Sequence, residues 1–190
     1  MSAVLTASTH PQVITGSHDS TVKLWDLAAA KCFTTLTHHY KSVRGLSHAT
    51  GIERTFVSAS ADGTVRKFQG KDGKFLQTIS NDRKPIWNCV SVQEDGVMVT
   101  GGDDGSLEFW DYKSGCNFQS GNVKVQPGSL EQAEKAVFTS TFDGTGTRLI
   151  TGHADKTIQI WKEDEEASEL SHPIDTKAWK KAYVQQQERI

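Results

Sequence analysis

The sequence lacks the features of several large classes of protein. Its three cysteines, Cys32, Cys89 and Cys116, are odd in number and show no Cys-x-x-Cys spacing, so they indicate neither a disulfide framework nor a thiolate zinc site. No apolar run approaches the roughly 18 residues that cross a bilayer, and the start, MSAVLTASTH, lacks the basic and apolar segments of a signal peptide. We therefore expect a soluble, intracellular protein.

The chain also lacks an excess of either charge. Its 190 residues include 21 basic and 23 acidic side chains, which give a formal net charge of −2. Such a balance produces no large field of one sign of the kind that draws proteins onto nucleic acid or anionic lipid. Direct nucleic-acid binding is therefore disfavoured as the main activity.

What the sequence does contain is a repeated segment. The stretch VTGGDDGSLEFWD, from Val99 to Asp111, places apolar and β-branched residues on both sides of Gly-Asp-Asp-Gly, a pattern that predicts strand, tight turn and strand. Related stretches run from Val13 to Asp26, from Phe56 to Gln69 and from Leu149 to Lys162. Period-two alternation around them predicts four short antiparallel strands in each repeat. In the second repeat the predicted strands are Ser42–Ser47, Thr55–Ser60, Thr64–Gln69 and Lys74–Ile79, and in the third they are Ile86–Val92, Gly96–Gly101, Ser106–Asp111 and Cys116–Gln119.

Alignment on the turn aspartate gives the length of the repeat. The turn aspartates are Asp19, Asp62, Asp104 and Asp155, at spacings of 43, 42 and 51 residues. An aromatic residue follows each of them by six positions, and these residues are Trp25, Phe68, Trp110 and Trp161. A period of about 40 to 45 residues that ends in Trp-Asp is typical of WD-repeat propeller blades. The chain thus resembles the WD-repeat family, which implies an all-β propeller fold with four blades present.

Three further stretches resemble a spliceosomal member of this family. They are PQVITGSHDSTVKLWDL from Pro11, VQPGSL from Val125 and EDEEASELSHPI from Glu163. The resemblance implies a nuclear, non-enzymatic scaffold in pre-mRNA splicing that associates with proteins of the nineteen complex and, indirectly, with small nuclear RNA and pre-mRNA. It implies no cofactor and no membrane association. The alternative is a generic WD-repeat adaptor, such as the substrate receptor of a ubiquitin ligase.

The resemblance also implies a buried polar network in each blade. In this network tryptophan donates to a serine or threonine, the hydroxyl bonds a histidine, and the histidine bonds the turn aspartate. The expected members are Thr15, Asp19, Trp25, His39, Ser58, Asp62, Thr100, Asp104, Trp110, Thr151, Asp155 and Trp161. We interpret them as structural rather than catalytic, because such bonds satisfy buried polar groups and hold strands together.

The network is incomplete in the sequence. Phe68 replaces the tryptophan of the second repeat, and Asp82 and Asn122 stand where the histidines of the third and fourth repeats are expected. The glycine-rich turn lacks the Gly-Lys-Ser/Thr ending of a phosphate loop, and Asp103 and Asp104 lack the further carboxylates of a calcium loop. We therefore expect no catalytic, cofactor or metal site.

The chain is expected to divide into a repeat region, residues 1–170, and a tail, residues 171–190. The extra length before the fourth repeat falls in an insertion at about 120–136. Within it, Ser129 and Gln132 form a capping-box pattern, which favours a helix from Ser129 to Ala136. A solvated loop is the equal alternative. In the tail, Asp175 as N-cap with Trp179 and Tyr183 on one face favours a short helix, and a disordered end is the alternative.

Four blades do not match the seven of the related family member. An incomplete ring leaves two apolar blade faces uncovered. We therefore hypothesise that the chain is a half-propeller, completed by a second polypeptide or belonging to a longer protein. Apolar packing within it is predicted for Val43, Leu46, Val57, Val65, Val90, Val99, Leu107, Phe138, Leu149 and Ile158.

Overall fold

The computed structural model describes residues 1–6, 12–49, 54–128, 134–164 and 166. These residues form fifteen β-strands and no α-helix. Sheet 1 contains β1 (Ala3–Thr6), β2 (Gln12–Gly16), β3 (Val22–Asp26) and β4 (Lys31–Leu36). Sheet 2 contains β5 (Val43–His48), β6 (Thr55–Ser60), β7 (Val65–Gln69) and β8 (Phe75–Ile79). Sheet 3 contains β9 (Trp87–Val92), β10 (Val97–Gly102), β11 (Ser106–Asp111) and β12 (Asn117–Asn122). Sheet 4 contains β13 (Val137–Phe142), β14 (Arg148–His153) and β15 (Ile158–Lys162).

Each sheet is an antiparallel meander whose strands follow one another in chain order. The strands predicted for the second and third repeats coincide with the observed ones to within a few residues. The outer strand of sheet 3, predicted from Cys116 to Gln119, runs instead from Asn117 to Asn122. In the part of the chain that the structure describes, sheet 4 has three strands rather than the predicted four.

The sheets pack side by side in the order 1, 2, 3, 4. The inner strands β1, β5, β9 and β13 contact one another in that sequence. Among the described residues, the extensive contacts between sheets join neighbours along the chain, and none of that extent joins sheet 4 to sheet 1. The structure is therefore an open row of propeller blades, as an all-β, partial propeller requires.

Three apolar clusters hold this row together, one at each junction. Between sheets 1 and 2 lie Ile14, Val22, Leu24, Leu36, Val43, Phe56 and Phe68. Between sheets 2 and 3 lie Val57, Ala59, Val65, Ile79, Trp87, Val90, Met98, Trp110 and Tyr112. Between sheets 3 and 4 lie Cys89, Val99, Leu107, Val137 and Leu149. Burial of these side chains supplies the main driving force for stacking the blades.

Two of the residues predicted to be in the core are exposed. Phe138 exposes 58% of its surface and Ile158 exposes 75%. Both belong to sheet 4, the last sheet of the row, and no described sheet covers their side. The prediction failed because the repeat pattern marks a position that is buried only when another blade follows.

The insertion is shorter than the sequence indicated, because β12 extends to Asn122. The segment after it is tied to sheet 4, since the Gln126 N–H donates to Asp155 over 3.0 Å and Gln159 Nε2 donates to the Lys124 carbonyl, also over 3.0 Å. Most of the helix predicted from Ser129 to Ala136 lies outside the described residues, and its last three residues, 134–136, are not helical. The predicted tail helix also lies outside them.

Candidate functional site

The same turn recurs in all four sheets, between the second and third strands. In each turn one carboxylate oxygen of the aspartate accepts two hydrogen bonds from the residue two positions later, one from its N–H and one from its hydroxyl. In sheet 1 these bonds join Thr21 to Asp19 over 3.0 and 2.7 Å. The other pairs are Thr64 with Asp62, Ser106 with Asp104, and Thr157 with Asp155. The sequence signal for this hydroxyl, Asp-x-Ser/Thr, was present but was missed.

The residue after each turn aspartate has a left-handed backbone. Gly63 and Gly105 both have φ of 79°, while Ser20 and Lys156 adopt φ of 69° and 68° at the equivalent positions. Glycine adopts this conformation without steric cost, whereas a residue with a Cβ does not. The glycines predicted to shape the turns of sheets 2 and 3 therefore do so. In sheets 1 and 4, Ser20 and Lys156 adopt the same left-handed conformation with some backbone strain.

Three sheets contain the expected bond between an indole and a hydroxyl. Trp25 Nε1 donates to Thr15 Oγ1 over 2.9 Å, Trp110 Nε1 to Thr100 Oγ1 over 3.0 Å, and Trp161 Nε1 to Thr151 Oγ1 over 2.8 Å. In sheet 2 the equivalent of the tryptophan is Phe68, which stacks on Phe56 with ring centroids 5.3 Å apart. Each bond joins the second strand of a sheet to the third.

Sheet 2 contains a Ser–His–Asp chain. The Ser58 hydroxyl lies 2.7 Å from His39 Nε2, and His39 Nδ1 lies 2.9 Å from Asp62 Oδ2. Because a carboxylate only accepts, Nδ1 carries the proton and Nε2 accepts from Ser58. The connectivity is that of a hydrolase triad, but Ser58 is fully buried and His39 is 4% exposed. A substrate cannot reach this hydroxyl, so the arrangement serves packing.

The charge on Asp62 is stabilised by its neighbours. Burial of Asp62 raises the pKa of its carboxyl, but hydrogen bonds from His39, Thr64 and the Tyr40 N–H outweigh burial and hold the pKa well below its ordinary value. The group is therefore ionised throughout the physiological range.

Sheet 4 contains a histidine that the sequence did not identify. His153 Nε2 lies 2.7 Å from Thr151 Oγ1, the same hydroxyl oxygen that accepts a hydrogen bond from Trp161 Nε1. Asn122, which the sequence placed where a histidine is expected before the inner strand of the fourth repeat, lies at the end of β12 and is exposed. Burial lowers the pKa of His153, and the nearby Asp155 only partly opposes this.

Sheet 3 has a buried carboxylate where the sequence indicated only a strand. Glu108 is 1% exposed and accepts hydrogen bonds from Asn117 over 2.7 Å, from Asn81 over 3.3 Å and from Ser120. Arg83 lies 3.6 Å from it. Asp82, which stands where a histidine is expected in the third repeat, is exposed. Glu108 thereby joins the segment before β9 to the outer strand.

Polar bonds also cross from sheet to sheet. Asn88 donates to the Val137 carbonyl over 3.0 Å, and the hydroxyls of Ser91 and Ser140 lie 2.9 Å apart. Together with the apolar cluster at this junction, these bonds join sheet 4 to sheet 3.

The described surface offers a polar cleft between two turns of sheets 3 and 4. It encloses about 310 Å³ and is lined by Ser91, Glu94, Asp95, Asp143 and Thr145, among others. The cleft is open, and within it the Thr145 hydroxyl donates to Asp143 Oδ2 over 2.8 Å. In the part of the chain that the structure describes, no three His, Cys, Asp or Glu residues are grouped to hold a metal, and no helix is long and apolar enough to span a membrane.

Comparisons with known proteins agree with this geometry. The family model described as "WD domain, G-beta repeat" matches residues 2–26, 30–69, 73–111 and 124–162. Each match contains the first three strands of one sheet, and the second and third matches also contain the outer strand of the preceding sheet. The chain is similar to the protein pleiotropic regulator PRL2 of Arabidopsis thaliana, with 51% identity over 148 residues that cover 77% of this chain and 30% of the relative.

Two other relatives carry related names. The chain is 44% identical to pre-mRNA-splicing factor PRP46 of Candida glabrata over 146 residues, which cover 76% of this chain and 33% of the relative. It is 42% identical to pleiotropic regulator 1 of Bos taurus over 126 residues, which cover 66% of this chain and 23% of the relative. The chain thus matches about a third or less of the length of each relative. With four antiparallel sheets, a turn repeated in each of them and a family model that matches most of its length, the chain belongs to the WD40 repeat family.

Proposed function

We propose that this chain is a protein-binding scaffold in pre-mRNA splicing. The observation that carries the proposal is the 44% identity, over three quarters of the chain, to a protein named a pre-mRNA-splicing factor. Identity at this level over the sheets and their turns supports a shared surface as well as a shared fold. The proposed location is the nucleus, and the proposed partners are spliceosomal proteins, including those of the nineteen complex.

The proposed scaffold acts without catalysis. The arrangement most similar to an enzyme site, Ser58 with His39 and Asp62, is buried, whereas a catalytic hydroxyl has to meet its substrate. Binding on such a scaffold belongs to the exposed loops that join the strands. Association with small nuclear RNA and pre-mRNA is proposed to be indirect, through proteins, since the net charge is only −2.

Two further proposals concern the division of the chain into regions and the role of the network residues. We propose that residues 1–170 act as the repeat region and that residues 171–190 form a separate tail. We also propose that the twelve network residues named from the sequence hold the blades rigid, so that the loops keep fixed positions. The supporting observation is that the network bonds lie between strands of one sheet and involve buried hydroxyls such as Thr100 and Thr151.

Affinity purification of the tagged chain from nuclear extract tests this function. Splicing proteins and small nuclear RNAs are expected in the eluate, and RNase treatment is expected to remove the RNAs while the proteins remain. A mock purification with an unrelated WD-repeat protein is the control. Recovery of a ubiquitin-ligase scaffold without small nuclear RNA would overturn the splicing assignment and favour the generic adaptor.

A further inference from the structure

One position of the repeat carries a different side chain in each sheet. It lies on the third strand and pairs across the sheet with the network hydroxyl of the second strand. The residues at this position are Lys23, Arg66, Glu108 and Gln159. Lys23 and Gln159 are half-buried, whereas Arg66 and Glu108 are only 9% and 1% exposed. Sheets 2 and 3 therefore bury side chains of opposite charge at equivalent places.

The buried charge of sheet 3 is compensated within the chain. Glu108 accepts hydrogen bonds from Asn81, Asn117 and Ser120, and the Arg83 guanidinium lies beside it. These partners come from the segment before the inner strand and from the outer strand. A buried charge is tolerated when such partners replace the water that it has lost.

The buried charge of sheet 2 has no such compensation among the described residues. No carboxylate there lies within salt-bridge distance of the Arg66 guanidinium, and Arg66 Nε is buried without a hydrogen-bond partner. The guanidinium instead contacts the ring of Tyr40, whose centroid lies 5.5 Å from Arg66 Cζ. The ring stabilises the cation, but it offers no oxygen to the N–H donors of the guanidinium.

A second nitrogen without a partner lies near this cation. His38 Nδ1 is buried and, within the described part of the chain, has no hydrogen-bond partner. Burial lowers the pKa of His38, and the charge of Arg66 adds to this effect, so the two groups are within electrostatic range of each other. A neutral imidazole can hold its proton at Nδ1 and donate it. The group that this place lacks is therefore an acceptor.

Exposed aromatic and apolar side chains lie beside the two nitrogens. Tyr40 exposes 84% of its surface, and the ring of His38 stacks on the ring of Phe75 with centroids 5.2 Å apart. Phe75 and its neighbour Leu76 expose 39% and 44% of their surfaces. Arginine together with aromatic residues is typical of the energetic centre of a protein interface. The surroundings of Arg66 thus suit a segment of another protein.

We propose that Arg66, His38, Tyr40 and Phe75 form a binding site for an acidic side chain of a partner protein. The guanidinium donates to the oxygens of a carboxylate or of a phosphorylated side chain, a planar recognition that arginine supplies and lysine does not. The rings of Tyr40 and Phe75 contact apolar residues next to the acidic one. A nucleic-acid backbone is disfavoured as the occupant by the net charge of −2.

This proposal goes beyond the proposed function. It assigns a site and a ligand chemistry that hold whether or not the partner is a splicing protein. Because the measurements below use the purified chain alone, failure of the splicing assignment and failure of this site are distinguishable.

Pools of short peptides, spotted on a membrane and probed with the purified full-length chain, test the proposal. Each pool has random sequence around a fixed central residue, which is glutamate, phosphoserine or glutamine. The native chain is expected to bind the glutamate and phosphoserine pools at least about fivefold more strongly than the glutamine pool, because charge-assisted hydrogen bonds exceed neutral ones. The ratio of the glutamate to the phosphoserine signal distinguishes the two sources of the anion.

Two substitutions of equal charge provide the comparison. Arg66→Met is expected to lose the preference for the acidic pools. Arg148→Met is the matched control, because it removes the same charge from an exposed arginine of sheet 4, and it is expected to keep the preference. Arg66→Lys keeps the charge without the planar fork and is expected to bind the acidic pools more weakly than the native chain.

Thermal unfolding separates a binding role of Arg66 from a structural one. Arg66→Met replaces an unpartnered cation by an apolar side chain of similar length, so its unfolding midpoint is expected to equal or exceed that of the native chain. Glu108→Met leaves several donors without their acceptor and is expected to lower the midpoint by about 5 °C.

Three results would overturn the proposal. The first is equal binding of the acidic and glutamine pools by the native chain, or an Arg66→Met variant that keeps the preference. The second is a midpoint of Arg66→Met as low as that of Glu108→Met, which would make Arg66 a structural residue. The third is binding of a uridine oligonucleotide that depends on Arg66, which would assign the site to nucleic acid.

Discussion

His39, in the segment between β4 and β5, joins that segment to β6 and to the turn after it, because its two ring nitrogens bond Ser58 and Asp62. Replacement of His39 by alanine leaves the buried Ser58 hydroxyl and the Asp62 carboxylate without this partner. Leaving such groups unsatisfied costs about 1–3 kcal/mol, and we expect the free energy of unfolding to fall by that amount in urea titrations at neutral pH. The exposed His18 is the control, since His18→Ala is expected to change it by less than about 0.5 kcal/mol. Equal stabilities of the two variants would contradict a structural role for the network.

His153 makes stability depend on pH. Burial lowers the pKa of this imidazole below its ordinary value of 6.5, so the unfolded chain binds more protons in the window between the folded and the ordinary value. The free energy of unfolding is therefore expected to fall as the pH drops below about 6.5. Burial lowers the pKa values of His38 and His48 in the same direction.

Urea titrations at pH 7.5 and pH 5.5 measure this dependence. The native chain is expected to lose stability between the two values, and His153→Gln is expected to lose less, because one of the three titrating groups is gone. His18→Ala again serves as the control for loss of an imidazole at the surface. An unchanged pH dependence in His153→Gln would mean that this residue is not protonated on unfolding in this range.

At the scale of the elements, the four turns between second and third strands allow a direct comparison of glycine with other residues. Lys156 is left-handed where Gly63 and Gly105 stand in sheets 2 and 3. Lys156→Gly is expected to raise the free energy of unfolding by about 1 kcal/mol, because it removes the strain of a Cβ in that conformation. Lys156→Ala keeps the strain and is expected to leave stability nearly unchanged.

The reverse substitution tests close approach as well as strain. A Cβ at Gly63 would lie 2.6 Å from the Lys84 Cβ and 2.7 Å from the Lys84 carbonyl oxygen, whereas a Cβ at Gly96, with φ of 91°, would meet nothing within 4 Å. Gly96→Ala is therefore expected to cost about 1 kcal/mol from strain alone, and Gly63→Ala to cost more. Thermal and urea unfolding of both variants measure the difference, and equal losses would show that the segment around Lys84 adjusts freely.

The elements of this fold were predictable because they depend on local pattern. Alternation, turn chemistry and a constant period located the strands of sheets 2 and 3, and the ten-residue separation between hydroxyl and indole, as in Thr100 and Trp110, is set by one hairpin. Residues whose role depends on distant partners were missed. From the sequence alone, Glu108 is a polar residue on a predicted strand. In the structure it is buried and accepts hydrogen bonds from Asn81 and Asn117, which belong to two other segments of the chain.

His153 was missed for a related reason. The family pattern places the histidine before the inner strand, whereas His153 lies on the second strand and reaches the same hydroxyl from two residues away. The exposure of Phe138 and Ile158 was missed because a repeat pattern describes a blade with a neighbour on each side, and sheet 4 has the same pattern although no described sheet follows it.

At the scale of the whole molecule, the position of a sheet in the row determines its protection. Among the described residues, sheets 2 and 3 pack against a neighbouring sheet on both faces, and sheets 1 and 4 on one face. Repeat arrays derive stability from nearest-neighbour contacts, and weakly covered units open at lower free energy. Amide hydrogens of β14 and β15 are therefore expected to exchange faster than those of β6 and β10 in a dilute sample. Uniform exchange across the four sheets at that dilution would show that the row opens only as a unit.

The order of contacts has a consequence for synthesis on the ribosome. Each sheet is formed by one uninterrupted segment and docks on the segment made just before it, and domains generally form from the N-terminus during translation. A sheet can therefore pair its strands and pack as soon as its own segment emerges, with no wait for a distant strand. At every such stage the newest sheet exposes the face that the next sheet will cover, and within the described residues Ile158 and Ile160 show what that face contains.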